Sequence, residues 1–320
     1  MKVSVLMTTY NHERFIAQAI YSILMQKTNF DYEIIVGEDY STDRTREIVI
    51  DFRKKYPDKI RLLLNEKNIG GRRNFIQIFK ASRGEYIALL EGDDYWTSPH
   101  KLQKQVDFLD RHPECSICFH SVLRLYEDKS HESYVFSPRD KKEIYTLEDL
   151  LDENLMATAS TMFRRRLFRD FPSWFYLTAM GDWPLNILNA QHGKIGYINE
   201  VMGVWRIHSG GFWSSKGLIE RLQGGIEAYR YVNSHFNFRY NRLIRSKVSR
   251  DYLRIAEEYK QNDDRINALK YLLKCVVTSP FNQPVPPLRS FLRMAAWATP
   301  KPVRRTIRLL LGLSRMGNKA

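Results

Sequence analysis

Three carboxylates, Glu91, Asp93 and Asp94, follow the apolar run at residues 86–90 with only Gly92 among them. Like charges packed this closely repel unless a cation or hydrogen-bond donors compensate them. One acid here would suit a solvated turn at a strand end. Three suit a hard divalent cation, which takes carboxylate oxygens and can share the rest of its shell with a diphosphate. Two other devices for holding a phosphorylated ligand are missing. Neither G-x-G-x-x-G nor G-x-x-x-x-G-K-[ST] occurs, and the first apolar run passes into TTYNHE without a glycine. Metal-mediated phosphate binding remains.

Such a cluster needs a rigid edge to carry it. Short apolar runs at 2–9, 32–39, 60–65 and 84–94 read as strands, and helical spacing covers 15–26, 41–56 and 70–82. Ser41 is the expected N-cap of the second helix, with Pro57 just past its stop. Strands alternating with helices imply an α/β fold, a mostly parallel sheet covered on both faces. Ligands bind such sheets off the carboxyl ends of the strands. Four polar strand ends therefore stand out: 8–11, 38–39, 65–74 and 91–94. Further on, 100–113 reads as an amphipathic helix, 116–127 as a strand, 143–168 as a short helix with a strand, and 194–208 as one or two strands. Beyond about residue 215 the pattern is helical only, and 251–280 resembles one antiparallel helix pair of tetratricopeptide type. The expected organisation is a catalytic domain at 1–214, a helical extension at 215–280 and a basic amphipathic tail at 281–320.

From residue 3 to 208 the chain resembles the family 2 glycosyltransferases of the GT-A fold. The resemblance rests on TTYN at 8–11, GEDYSTD at 37–43, NIGGRRN at 68–74, EGDD at 91–94, GDW at 181–183 and WRIH at 205–208, in that family's order. It implies a Rossmann-like sheet and transfer with inversion by a single displacement. EGDD takes the place of the D-x-D motif, which makes Asp93, with Asp94, the expected ligands of Mn2+ or Mg2+. Glu91 stands where a shorter aspartate usually meets the ribose. Asp39, with Glu38 beside it, falls where the family reads the base; a carboxylate accepting the imide N–H of uracil is the physical logic. Thr9 and Asn11 resemble residues lining the same nucleotide pocket. Asn68 opens a double-glycine segment that lets backbone approach a ligand, and Arg73 matches the family's arginine facing the sugar or diphosphate. Arg206 is a diphosphate contact by the same likeness. His208 matches a histidine that completes the metal shell, with Gly210 and Gly211 allowing a lid. Asp182 matches the catalytic base, and Gly181 precedes it where many relatives carry an acid.

Other features bear on place and partner. Cys115, Cys118 and Cys275 show no disulfide framework, so a reducing cytoplasm is expected, and C-x-x-C at 115–118 lacks the second pair that zinc needs. The N-terminal apolar run is too short for a signal peptide, and nothing approaches a spanning helix. The net charge is +14. No acid follows Asp264, and Arg304, Arg305 and Arg308 stand beside Val303, Ile307, Leu310 and Leu311, which suits a helix on an anionic membrane surface. Arg164, Arg165 and Arg166 could grip an anionic acceptor. The reading is an inverting, metal-dependent glycosyltransferase, using a nucleotide-diphosphate sugar, a UDP-sugar by family habit, and a glycan or lipid-linked acceptor of cell-surface polysaccharide synthesis. It would sit at the cytoplasmic face of the plasma membrane. A sugar-1-phosphate nucleotidyltransferase would want a glycine-rich, lysine-bearing loop after the first strand. A basic nucleic-acid-binding protein would want its charge on the pocket domain rather than the tail, so no nucleic acid is expected.

Overall fold

The computed structural model describes residues 1–211, 215–279 and 297. The chain forms two compact units, residues 1–215 and 216–320. The first opens with β1 (Val3–Thr9), α1 (Ile16–Leu24), β2 (Tyr32–Glu38), α2 (Thr45–Lys55), β3 (Ile60–Leu64), α3 (Gly71–Ala81) and β4 (Tyr86–Leu89). It continues through β5 (Tyr95–Trp96), α4 (Lys101–Arg111), β6 (Cys115–Tyr126), β7 (Tyr134–Phe136), β8 (Ile144–Tyr145), α5 (Leu147–Asp152), β9 (Met162–Arg164), α6 (Asp182–Ala190) and β10 (Lys194–Ile207).

One sheet runs β3-β2-β1-β4-β9-β6-β10-β5, with β7 beside β6 and β8 beside β10. β1 to β4 pair in parallel, as do β6 and β10, and antiparallel β9 joins the two sets. Six strands therefore run the same way, the mostly parallel sheet of the sequence reading. β1, β2 and β4 are buried almost throughout, which is why they read as unbroken apolar runs. Val5 and Met7 of β1 share a core with Ile16, Ala19, Ile20 and Ile23 of α1. Register aligns the polar strand ends: Thr9 lies beside Glu38, Glu38 beside Leu64, and Leu6 beside Leu89. The loops after β1, β2, β3 and β4 consequently emerge at one edge.

Ser41 is not the cap of α2. The helix starts at Thr45 without a side-chain cap, and Ser41 Oγ instead accepts the backbone N–H of Asn11. Asp43 bonds the backbone N–H of Thr45 and of Glu13, so the nearby acid secures the turn. The expected Cys-x-x-Cys thiols lie buried in β6, and burial pushes both thiol pKa values up.

Lys101 is fully buried, its amine 3.7 Å above the Trp96 ring, with no hydrogen-bond partner among the described residues. Burial drives its pKa well below the usual lysine range, so folding disfavours the protonated amine relative to the unfolded chain. Stability therefore rises with pH below the unfolded lysine value. Lys101→Met is expected to stabilise the protein by roughly 1–3 kcal/mol at neutral pH by removing an unsatisfied donor. It should also flatten the rise of stability with pH below the unfolded lysine value, as read by urea melts. An unchanged slope would mean that the lysine stays charged.

The second unit comprises α7 (Leu218–His235), α8 (Asn241–Gln261) and α9 (Arg265–Thr278). Arg245 Nε donates to Thr278 O at 2.6 Å and Ser249 Oγ to Cys275 O at 2.8 Å, so α8 and α9 are antiparallel. Asp264 caps α9 through the N–H of Asn267 at 3.0 Å. No described helix is long and apolar enough to cross a membrane. The expected basic tail at 281–320 lies outside the described residues, Trp297 excepted.

Candidate active site

The acidic turn after β4 lies along the end of β1. Leu90 N–H donates to Leu6 O at 3.1 Å and Gly92 N–H to Thr8 O at 3.0 Å. Only glycine fits at 92, where a Cβ would stand 2.6 Å from Thr9 Oγ1 and 2.8 Å from His12 Nδ1. The turn brings oxygens of Glu91, Asp93 and Asp94 within 4.8 Å of one another. Two imidazoles flank the middle carboxylate: His208 Nε2 is 3.1 Å from Asp93 Oδ2, and His12 Nε2 is 3.7 Å from the same oxygen.

Charge in this cluster is only partly compensated. Burial and then the Asp93 and Glu91 charges push Asp94 well above the usual carboxylate range. Burial, followed by Asp93 and Asp182, pushes Glu91 up to about 8. Glu91 still meets solvent, and cleft water softens that shift. For Asp93 the burial cost is outweighed by His12 and His208, which hold it below the usual range. One carboxylate is ionised and two resist ionisation, the state that a divalent cation would relieve. Carboxylate oxygens with a neighbouring imidazole are an appropriate donor set for Mn2+ or Mg2+.

Arg206 braces this cluster. It is buried, its guanidinium 4.9 Å from the Phe15 ring and 4.4 Å from the Tyr95 ring. Its backbone N–H donates to Asp94 Oδ1 at 2.8 Å, Nη1 to Asp93 O at 2.7 Å, Nε to Glu127 Oε1 at 2.7 Å and Nη2 to Gln18 Oε1 at 2.6 Å. The expected diphosphate contact is thus engaged by protein on every nitrogen, and its geometry is that of a positioning residue.

The β2 and β3 ends form the adjoining wall. Glu38 is completely buried, pairs with Arg46 and accepts the N–H of Ser41 at 2.6 Å. Asp39 accepts from Asn65 Nδ2, Ile69 N and Gly70 N, each at 2.9 Å, and so fixes the turn that leads into α3. Asn68 Oδ1 accepts the N–H of Gly70 at 3.1 Å. Thr9 is buried with Oγ1 3.3 Å from His12 Nδ1, and Asn11 Oδ1 accepts the N–H of Thr42 at 2.8 Å. The backbone turns through positive φ at Asn11 (55°), Tyr40 (63°) and Gly70 (85°), once after each of β1, β2 and β3. At Asn11 and Tyr40, which carry a Cβ, such backbone persists only where surrounding structure enforces it.

Across the cleft, Asp182 is the first residue of α6, with Gly181 as N-cap and no side-chain cap. Burial raises its pKa against the opposing pull of the Trp183 N–H and of Arg72. Its charge reaches Glu91, so Asp182 lies near the acidic triad. The two arginines at the start of α3 face different ways. Arg73 is exposed with no partner among the described residues, because it lies on the outer face of α3. Arg72, one residue earlier, turns inward: Nη2 donates to Thr178 O at 2.8 Å and to Met180 O, and the guanidinium lies 4.4 Å from the Phe175 ring. A Cβ at Gly181 would stand 3.2 Å from Arg72 Nη1, so the guanidinium occupies the space beside the residue that lacks an acid.

The sequence reading passed over His12 and preferred Arg73 to Arg72. His12 was discoverable, two residues past the polar end TTY of β1. Arg72 was not, since its partners lie more than a hundred residues downstream.

Comparison with known proteins gives a consistent result. The sequence model described as Glycosyl transferase family 2 matches residues 4–171. An uncharacterised protein of Mycobacterium tuberculosis is 40% identical over 214 residues, 67% of this chain. The match spans 61% of the length of the first curated relatives. Among solved structures, the 1–349 portion of Staphylococcus aureus TarS in complex with UDP-GlcNAc is similar with a TM-score of 0.64 and 17% identity, covering 98% of this chain and 88% of that one. The mannosyltransferase PcManGT from Pyrobaculum calidifontis, in complex with GDP-Man and Mn2+, gives 0.57 and 16% identity, with 98% and 84% covered. At these identities the structural likeness is one of fold, the GT-A type.

Proposed function

Because the chain belongs to glycosyl transferase family 2, we propose that it is an inverting, divalent-metal-dependent transferase moving a sugar from a nucleotide-diphosphate donor, read as a UDP-sugar, to a hydroxyl of a glycan or lipid-linked acceptor. The setting is cell-surface polysaccharide synthesis at the cytoplasmic face of the membrane, where the basic tail meets anionic lipid. The observation that carries this reading is the Asp93–His208 contact within the acidic triad, with Asp182 near it. The UDP-GlcNAc of one structural neighbour and the GDP-Man with Mn2+ of the other support a nucleotide-sugar donor and a metal.

Asp93, Asp94 and His208 would hold Mn2+ or Mg2+, which when bound supplies charge stabilisation to the departing diphosphate. Glu91 reaches toward the ribose. Thr9, Asn11, Asp39, Asn68 and Arg73 line the nucleotide and sugar side, while Glu38 and Arg206 hold that wall and the acidic turn in shape. Asp182 takes the proton of the acceptor hydroxyl as its oxygen attacks the anomeric carbon from the face opposite the diphosphate, and this in-line displacement inverts the configuration. Arg72 keeps the loop before Asp182 in place and favours its charged form.

A thermal-shift screen of UDP-, GDP- and dTDP-sugars with and without Mn2+ tests this reading. A specific donor at a hundredfold excess over its Kd stabilises the fold by about 2.7 kcal/mol. One nucleotide sugar is expected to raise Tm by several degrees only when metal is present. If none does so, the transferase reading fails.

A further inference from the structure

After β9 the chain reads RRRLFRDFPSWFYLT over residues 164–178. Arg164 turns inward to the carbonyls of Cys115 and Leu109. The following residues form a groove of about 470 Å³ against the end of α3, rimmed by Lys80, Arg165, Arg166 and Arg169 over Phe79 and Phe168, with no acid in its lining. Lys80, Arg166 and Arg169 are exposed and have no ion-pair partner among the described residues. Beyond the groove, Tyr176 and Leu177 are 46% and 60% exposed. Packed rings join the two features: Phe168 to Phe171 at 5.2 Å, and Phe171 to Phe175 at 4.7 Å. Arg72 rests on Phe175 and holds the carbonyls of Thr178 and Met180. The cationic groove and the loop of Asp182 are thus parts of one packed body. From Arg72 to Lys80 along α3 is about 12 Å.

We propose that this face, Lys80 with residues 165–177, seats the protein on an anionic phospholipid surface. Arginine and lysine beside exposed aromatic and aliphatic side chains is the chemistry of interfacial binding: the cations meet lipid phosphates while the apolar groups enter the headgroup layer. Single-stranded nucleic acid would instead need free ring faces for stacking. Phe79 and Phe168 lie nearly parallel to each other, 6° apart with centroids at 5.9 Å, so each already covers a face of the other. The inference deepens the acceptor side of the proposed function and rests on that reading only for the role of Asp182. It adds a second membrane contact, distinct from the tail, that brings the base loop to the lipid surface.

The test uses the full chain and vesicles containing about one-third phosphatidylglycerol in phosphatidylcholine, against pure phosphatidylcholine, in a co-sedimentation assay. Wild type is expected to bind the anionic vesicles in a salt-sensitive manner. The combined Lys80→Glu, Arg166→Glu and Arg169→Glu variant should lose more than about tenfold in partitioning, and Leu177→Asp alone should weaken it. Donor-dependent thermal stabilisation reports whether each variant is folded, and is expected to be unchanged in both. The proposal is overturned if wild type ignores anionic vesicles. It is also overturned if the triple variant binds them like wild type while Arg304→Glu, Arg305→Glu and Arg308→Glu abolish binding, or if the three groove charges control binding to DNA and not to vesicles. Failure of donor stabilisation in wild type would instead count against the transferase reading, whatever the vesicles do.

Discussion

Asp93→Ala is expected to eliminate metal-dependent donor binding and to lower transfer by about a thousandfold, the kinetic equivalent of the several kcal/mol that a metal contributes to charge stabilisation. Asp93 is the one member of the triad held below the usual carboxylate range, and it is the oxygen that both His12 and His208 approach. Its removal leaves Glu91 and Asp94, which burial still disfavours as charged groups although the Asp93 charge no longer raises them. The fold should survive, because Arg206 holds residue 93 by its backbone oxygen, which alanine retains. Calorimetric titration of Mn2+ followed by donor separates the two losses. The wild-type response to pH has a definite direction. A cation binds carboxylates only after their protons leave, and burial with the neighbouring charges raises Asp94, so metal affinity should climb as pH rises. Retention of metal-dependent donor stabilisation in Asp93→Ala would remove Asp93 from the metal site.

Asp182→Asn should keep the donor thermal shift and lose about 10² to 10⁴ in kcat, the usual weight of a positioned general base. The substitution preserves shape and hydrogen bonding at the start of α6 while deleting the proton acceptor. Arg72→Met provides the companion measurement. Burial brings Arg72 down to about 10, so it remains charged at neutral pH and favours the ionised form of Asp182. A base works only when deprotonated, so activity is lost as pH falls through its pKa. Without the guanidinium that pKa rises further, and the acidic limb of the kcat profile should move to higher pH. A merely structural loss would lower kcat at all pH values without moving the limb. Normal turnover by Asp182→Asn would show that another group takes the proton.

The sheet was legible because its strands are buried on both faces, so the apolar runs and the polar residues that end them mark strand and edge together. The acidic triad was legible for the same reason: it sits on one strand end, within four residues. Partnerships across the fold were less accessible. Ser41 looked like a cap by type and position, yet the turn after β2 is secured from β1, through Asn11 and Glu13. Choosing between Arg72 and Arg73 required knowing which face of α3 meets Phe175 and Thr178. Glu38 and Arg206 were recognised as important polar residues, but only tertiary contacts reveal that their groups are engaged by protein.

The bonds of Arg206 also bear on the order in which the molecule can be completed. This one side chain gathers Gln18, Asp93 and Glu127, and its neighbour but one, His208, supplies the imidazole at Asp93. Chains are made from the N-terminus. A ribosome that has delivered the first four strands and the turn after them has made the acidic triad and His12, but neither Arg206 of β10 nor His208 just beyond it. The nascent chain therefore carries an acidic loop that lacks Arg206 and His208 until about two thirds of the protein has been synthesised. The bracing of the acidic turn is thereby deferred until β10 has been made.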